Sequence, residues 1–322
     1  VGLQIALVKH TTEAQINGKV NAAGDITARA HGADKIVCVA IGFAASGLVG
    51  VGGSVGVNTF SNTTRASIGA NAEALAGGSV IVKASDDSSG LVIAGAAGIG
   101  IGAAGVGISV AVTKFDKTTE AFIGNGAKVT ALGGGSGASA LTSLDNGTGF
   151  NTGTATGVLV QATSSEEILG VVVAGGAGLF AGVGGAVSVG LFNSATRAYI
   201  GTNAEVNRLP GTASGGQSVT VVAANKVKNR TVAPALAVGI GGIAGAVDVS
   251  LTNNTVNAFI GDGAKVNAKG DVNVRALSQK DIESLTVSVA AGAVGIGGSV
   301  SVINFGAALD DANRKALSSQ SD

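Results

Sequence analysis

Apolar and small residues alternate along much of this chain with a period of two. In 294–302 the even positions carry Val294, Ile296, Val300 and Val302 with Gly298 between them, while Gly295, Gly297, Ser299 and Ser301 take the odd ones. The stretch 49–57 has the same arrangement, with Val49, Val51, Val55 and Val57 set against Gly50, Gly52, Ser54 and Gly56. Side chains of a strand point alternately to opposite faces, and Gly at alternate positions would cost a helix about 1 kcal/mol each, so both stretches read as strands. The Val/Ile face is expected to fill a narrow core. The Gly/Ala/Ser face is expected to lie outside, as a flat surface open to a second sheet or another fibre.

One motif organises the whole chain. T-x-A-x-I, usually followed by Gly, occurs near 12–18, 64–69, 119–124 and 196–201, with a variant at 256–261. Its isoleucines (Ile16, Ile68, Ile123, Ile200 and Ile260) are 52, 55, 77 and 60 residues apart. The long interval contains 133–157, rich in Gly, Ser, Thr and Asn, which reads as a loop insertion; 209–216 around Pro210 reads as a smaller one. Repeats of this kind predict an all-β, elongated parallel β-solenoid, a single array over 1–306, with 307–322 a polar tail or a link to a next repeat. At roughly 20 to 30 residues per coil, each unit is expected to make two or three coils. Charges follow the units: Glu13, Arg65, Glu120, Arg197 and Asn257 before the turn, Lys19, Glu73, Lys128, Glu205 and Lys265 after it. At a unit separation of about 10 Å such alternation would guide register only, at ~0.4 kcal/mol per pair.

Composition narrows the function. Hydrophobic residues make up 46% of the 322, with no Trp or Met and only Tyr199 as tyrosine, so an aliphatic core is expected and a disordered chain is excluded. Twenty basic and twenty acidic side chains balance, which leaves no electrostatic footprint for nucleic acid or anionic lipid. Cys38, between Val37 and Val39, reads as a small buried side chain. Segments 88–113 and 168–196 carry no charge and exceed the ~20 residues of a membrane-spanning helix. Their Gly content and period-two alternation oppose a helix, and a transmembrane barrel should bring aromatic girdles that are absent, so no membrane embedding is expected.

No motif carries chemistry. Gly100, Gly102 and Gly105 match the G-x-G-x-x-G spacing, but 106–112 alternates like a strand instead of opening a helix, so packing is the better reading. His31 with Asp34 lacks any nucleophile motif and reads as a solvated turn histidine. The acid pairs Asp86 with Asp87, Glu166 with Glu167 and Asp310 with Asp311 read as solvated turn charge. Scarce rings and scattered charges oppose a sugar-processing groove. No catalytic, cofactor-binding or metal residue is assigned, and no cofactor or enzymatic activity is expected.

The recurrent T-x-A-x-I-G, the turn-and-strand piece 261–274 and the closing 290–302 resemble repeats of very large bacterial exoproteins of the filamentous-haemagglutinin-like and leukotoxin-like adhesin group. The resemblance covers nearly the whole chain and implies a secreted β-solenoid at the cell surface or in the extracellular matrix. It implies adhesion, biofilm matrix or fibre function, with self-association into fibres and contact with a host or neighbouring cell through an unknown receptor. The alternatives are a self-polymerising extracellular filament subunit and, after it, a membrane-inserting or pore-forming exoprotein.

Overall fold

The computed structural model describes residues 1–145, 149–208 and 210–306. In chain order its strands are β1 (Gly2–Ile16), β2 (Lys19–Ala22), β3 (Ile26–Ser46), β4 (Val49–Ile68), β5 (Glu73–Ala76), β6 (Val80–Gly100), β7 (Ala104–Ile123), β8 (Lys128–Ala131), β9 (Ala138–Leu144) and β10 (Phe150–Ala155). There follow β11 (Gly157–Gly178), β12 (Ala181–Ile200), β13 (Glu205–Val206), β14 (Ser218–Val238), β15 (Gly241–Ile260), β16 (Lys265–Val266), β17 (Val272–Ala291) and β18 (Val294–Phe305). Among the described residues the one helical element is a 3-10 turn at Pro210–Thr212.

All but β9 and β10 stack into three parallel sheets. The first has the order β1-β4-β7-β12-β15-β18, the second β17-β14-β11-β6-β3, and a narrow third β16-β13-β8-β5-β2 closes the base. The chain is an all-β parallel solenoid, as the repeats predict. Each coil takes one long strand, one short and one long. Ile16, Ile68, Ile123, Ile200 and Ile260 pair in one row across the first sheet, so one sequence unit is one coil, not two or three. The expectation failed because it took an ordinary coil length, whereas each long strand here runs about 20 residues. At ~3.3 Å per residue such a strand spans about 66 Å, while each coil adds one strand spacing of ~4.8 Å along the axis. The coils are therefore broad blades that stack with a short rise.

At the base, the motif explains itself by parity. Thr64, Ala66 and Ile68 point inward and are buried, as are Ala121 with Ile123 and Ala198 with Ile200. They pack against Val80, Val82, Val158 and Val160 of the second sheet and Ala74 and Val129 of the third. The turn after the motif needs a left-handed residue, which is supplied by Asn71, Gly126, Asn203 or Gly263, all with φ between 57° and 69°.

Toward the opposite edge, the tip, the third sheet is absent and the two long sheets converge. Here the expected facing is reversed. Gly50, Gly52, Ser54 and Gly56 are buried, while Val49, Val51 and Val55 are exposed. A Cβ on Gly52 would land on the carbonyl oxygen of Ala97, and one on Gly105 on that of Ala177. At Gly50, Gly52 and Gly105 nothing larger than hydrogen fits, because facing backbones are in direct contact. The small residues are thus the interior of the tip, not its outer surface. Along β7 the inward positions widen from Gly105 and Gly107 through Ser109 and Ala111 to Phe115 and, at the base, Ile123, giving a wedge-shaped section.

The 133–157 insertion is not a plain loop: β9 and β10 form an antiparallel hairpin there. It lies against the second sheet, where Ala140, Leu141 and Ala155 pack with Ile81, Leu159 and Val222. The 209–216 insertion contains the 3-10 turn, and Ser214 Oγ donates to the carbonyl of Gly133 at 2.9 Å, tying the two insertions together. Leu209 and the tail 307–322 lie outside the described residues.

Candidate functional site

The residues singled out for chemistry do not converge. Gly100, Gly102 and Gly105 sit at the turn between β6 and β7, a strand-turn-strand tip with no helix N-terminus to receive a phosphate. His31 is an exposed residue of β3, not of a turn, and its Nδ1 lies 2.8 Å from Ser85 Oγ. Asp34 instead faces His10, Nδ1 to Oδ1 3.5 Å, and accepts from Asn62 Nδ2 at 2.6 Å. Cys38 is buried as expected, and burial pushes its thiol above the ordinary value, partly offset by a hydrogen bond with Gln4. Among the described residues no three His, Cys, Asp or Glu side chains cluster as metal ligands.

The acid pairs correct the expectation of solvated turns. Asp86 and Glu166 lie mid-strand and point inward, whereas their neighbours Asp87 and Glu167 point out. Asp310 and Asp311 fall outside the described residues. Between the two buried carboxylates stands Lys117, 2.7 Å from Asp86 Oδ1 and 3.4 Å from Glu166 Oε1, its ammonium also donating to the carbonyls of Asp86 and Ser165 at 2.8 and 2.9 Å. Thr64 and Ser88 donate to Asp86, while Ser164, Ser194 and Asn225 donate to Glu166. Burial raises the Asp86 pKa, but the Lys117 charge and these hydrogen bonds outweigh it, and the carboxyl ends below its ordinary value. With each carboxylate held by several donors, the cluster is a structural crossbar between the two long sheets.

The outer charges also touch. Because successive units are adjacent strands, Arg65 meets Glu13 at 3.4 Å and Glu120 at 2.9 Å, and Arg197 meets Glu120 at 3.5 Å. Lys19 and Lys128 flank Glu73 at 2.9 and 3.6 Å. A separation of about 10 Å follows only from two or three coils per unit; with one coil per unit the pairs are in contact. A row it did not single out, the residue before each motif isoleucine, holds Phe122, Tyr199 and Phe259 stacked at 4.9 and 5.0 Å. Aligning the five motif copies would have revealed it.

Two surfaces remain as places where something can bind. A polar groove of about 280 Å³ lies between the β9–β10 hairpin and the second sheet, lined by Thr142, Thr154, Asp271, Asn273 and Arg275 among others. The larger surface is the tip, whose outward rows are apolar on both sheets. On the first sheet Val51, Val106, Val183, Ile243 and Ile296 align in one row, and Val55, Val110, Val187, Val247 and Val300 in another. On the second, Val39, Ile93, Val171, Val232 and Leu285 align. The first face covers roughly 700 Å², taking five strands at ~4.8 Å and nine residues at ~3.3 Å, and the second roughly 550 Å² with seven residues; the largest apolar patch on an ordinary monomer is about 300–600 Å². No family model, curated protein or solved structure matches the chain.

Proposed function

We propose that the chain is a structural or adhesive repeat segment of a bacterial cell-surface or extracellular fibre. The observation that carries this reading is the register: five sequence units place their motif isoleucines in one row, one coil each, so equivalent surface positions recur at every strand spacing. An array of this kind is rigid along its axis and repeats any weak contact many times, which is the physical basis of multivalent adhesion. Its geometry favours breadth over reach. The 244 residues from Ile16 to Ile260 make four steps, so 61 residues on average supply one step of ~4.8 Å, and the blade displays wide faces while extending slowly. No nucleic-acid partner is proposed, since the charges balance and pair with one another along the rows.

Electron microscopy of the purified native polypeptide, with its mass per unit length, tests the reading. One coil per unit gives about 1.2 kDa per Å of axis, from about 6 kDa per strand spacing. Rods of that density and of constant section are expected. Discrete globular particles, or rods less than half as dense, would refute it.

A further inference from the structure

The tip of the blade is apolar on both faces and also around its end. Its turns carry Leu48, Ile101, Leu179, Phe180 and Ile240, with Ile101 75% and Phe180 60% exposed. Surface turns are ordinarily polar, and those at the base of the same coils obey that rule, with Asn71, Asn125, Thr202, Asn203 and Asp262. The apolar surface stops at a polar line on each sheet. On the first sheet that line begins with Thr59 and Lys114, in one row with Leu7, Leu191 and Leu251, and continues with the row Lys9, Ser61, Asp116, Asn193 and Asn253; on the second it begins with the ion pair of Arg230 and Glu283, in one row with Val37, Leu91 and Leu169, and continues with Lys35, Ser89, Glu167, Lys228 and Asp281.

Between that line and the turns, wholly apolar outward rows span nine residues on the first sheet (104–112) and seven on the second (93–99), about 23–30 Å at ~3.3 Å per residue. A bilayer's hydrocarbon layer is about 30 Å thick. Backbone groups inside such a layer must all be paired within the protein. In the interior coils the strands pair on both sides, and even the tip turns pair with one another. Ile101 N–H donates to Ser46, Ala103 N–H to Leu48, Phe180 N–H to Ala103, Ile240 N–H to Leu179 and Val294 N–H to Ile240, at 2.9 to 3.2 Å.

We propose that this tip, below the two polar rows, inserts into the hydrocarbon of a lipid bilayer, with the base and its charge rows remaining in water. A second copy of the chain is the rival occupant, because the first face, at roughly 700 Å², is near the ~800 Å² that one partner buries in a stable interface. A copy, however, covers one face and leaves the other face and the apolar turns in water. Hydrocarbon covers all three at once. The expectation against embedding considered only a helix or a closed barrel. A two-sheet blade with a glycine interior is a different route, needing no lumen; the outer edges of β3, β17 and β18 then require cover by further strands. Among the described residues no helix is long and apolar enough to cross a membrane, so insertion is by strands and turns alone. The inference goes beyond the fibre reading and does not depend on it.

The chain contains no Trp, so single reporters are clean. Phe180→Trp at the tip and Thr202→Trp at the base are compared in phosphatidylcholine vesicles whose acyl chains are brominated. The tip reporter is expected to lose at least half its fluorescence and the base reporter none. Val106→Asn with Val183→Asn, both outward and mid-tip, is expected to reduce flotation with vesicles at least tenfold while the far-ultraviolet circular dichroism is kept. The proposal is overturned if the tip reporter is not quenched or if the Asn variant floats as the parent does. It is equally overturned if the chain forms larger species in buffer that the Asn variant dissolves while vesicles leave the tip unquenched. That last outcome would make a second copy the occupant.

Discussion

Lys117 Nζ lies 2.7 Å from Asp86 Oδ1 inside the solenoid, with the two side chains 0% and 1% exposed. Removing one member of a buried ion cluster costs more than the cluster contributes, because the remaining charges keep their desolvation penalty. Lys117→Met strands Asp86 and Glu166 without their shared cation and is expected to destabilise by about 3–5 kcal/mol. Lys117→Met with Asp86→Asn and Glu166→Gln is expected to recover most of that loss. Denaturant unfolding of the three proteins measures both; a harmless single substitution would show that the carboxylates are not charged in the fold.

The same cluster sets an acid limit. The folded pKa of Asp86 is depressed, so its contribution is present above the unfolded value of about 3.9 and is lost as pH falls through the folded value. Melting temperature is expected to be insensitive to Asp86 from pH 7 to 5 and to fall below about pH 4. Asp86→Asn is expected to lower stability at pH 7 and to flatten the acid fall. An unchanged acid slope in the variant would assign that fall to other groups.

Glu120 stands between Arg65 and Arg197 on the outer row. Both arginines are well exposed, so Glu120→Gln is expected to cost about 1 kcal/mol or less. Glu120→Lys sets three cations on adjacent strands and is expected to cost more, with the excess shrinking as salt is raised from 0.05 to 0.5 M. Melting curves at both salt concentrations check this; equal effects of the two substitutions would argue against contact along the row.

The repeat and the strand period are legible in the sequence because the T-x-A-x-I motif is itself the inward face of a strand. The facing of the tip is not, since a period of two has no sign: it says that Val51 and Gly52 point opposite ways, not which points in. The usual rule that apolar side chains point inward fails where two backbones are too close to admit a Cβ. The buried charges were legible and missed. In 80–87, Val80, Val82 and Ala84 share parity with Asp86, and in 158–167 Val160 and Ala162 share it with Glu166, so each acid pair had to place one member inside. Coil length was obscured by an average, although the contact-range charge alternation of Glu13, Arg65 and Glu120 already favours adjacent strands.

Which face of the blade lies inside determines what its surface can bind, and two neighbouring glycines decide it. A Cβ on Gly184 would strike the carbonyl oxygen of Leu236, whereas one on Gly185 would stand 3.8 Å from Ile108, in ordinary contact. Gly184→Ala is expected to force the sheets apart and cost about 1–3 kcal/mol, while Gly185→Ala is expected to be neutral or slightly stabilising through the unfolded chain. Denaturant unfolding of the two single variants against the parent makes the measurement. Loss confined to Gly184→Ala is the predicted result; equal losses, or a loss confined to Gly185→Ala, would contradict an interior of glycine beneath outward rows of valine and isoleucine.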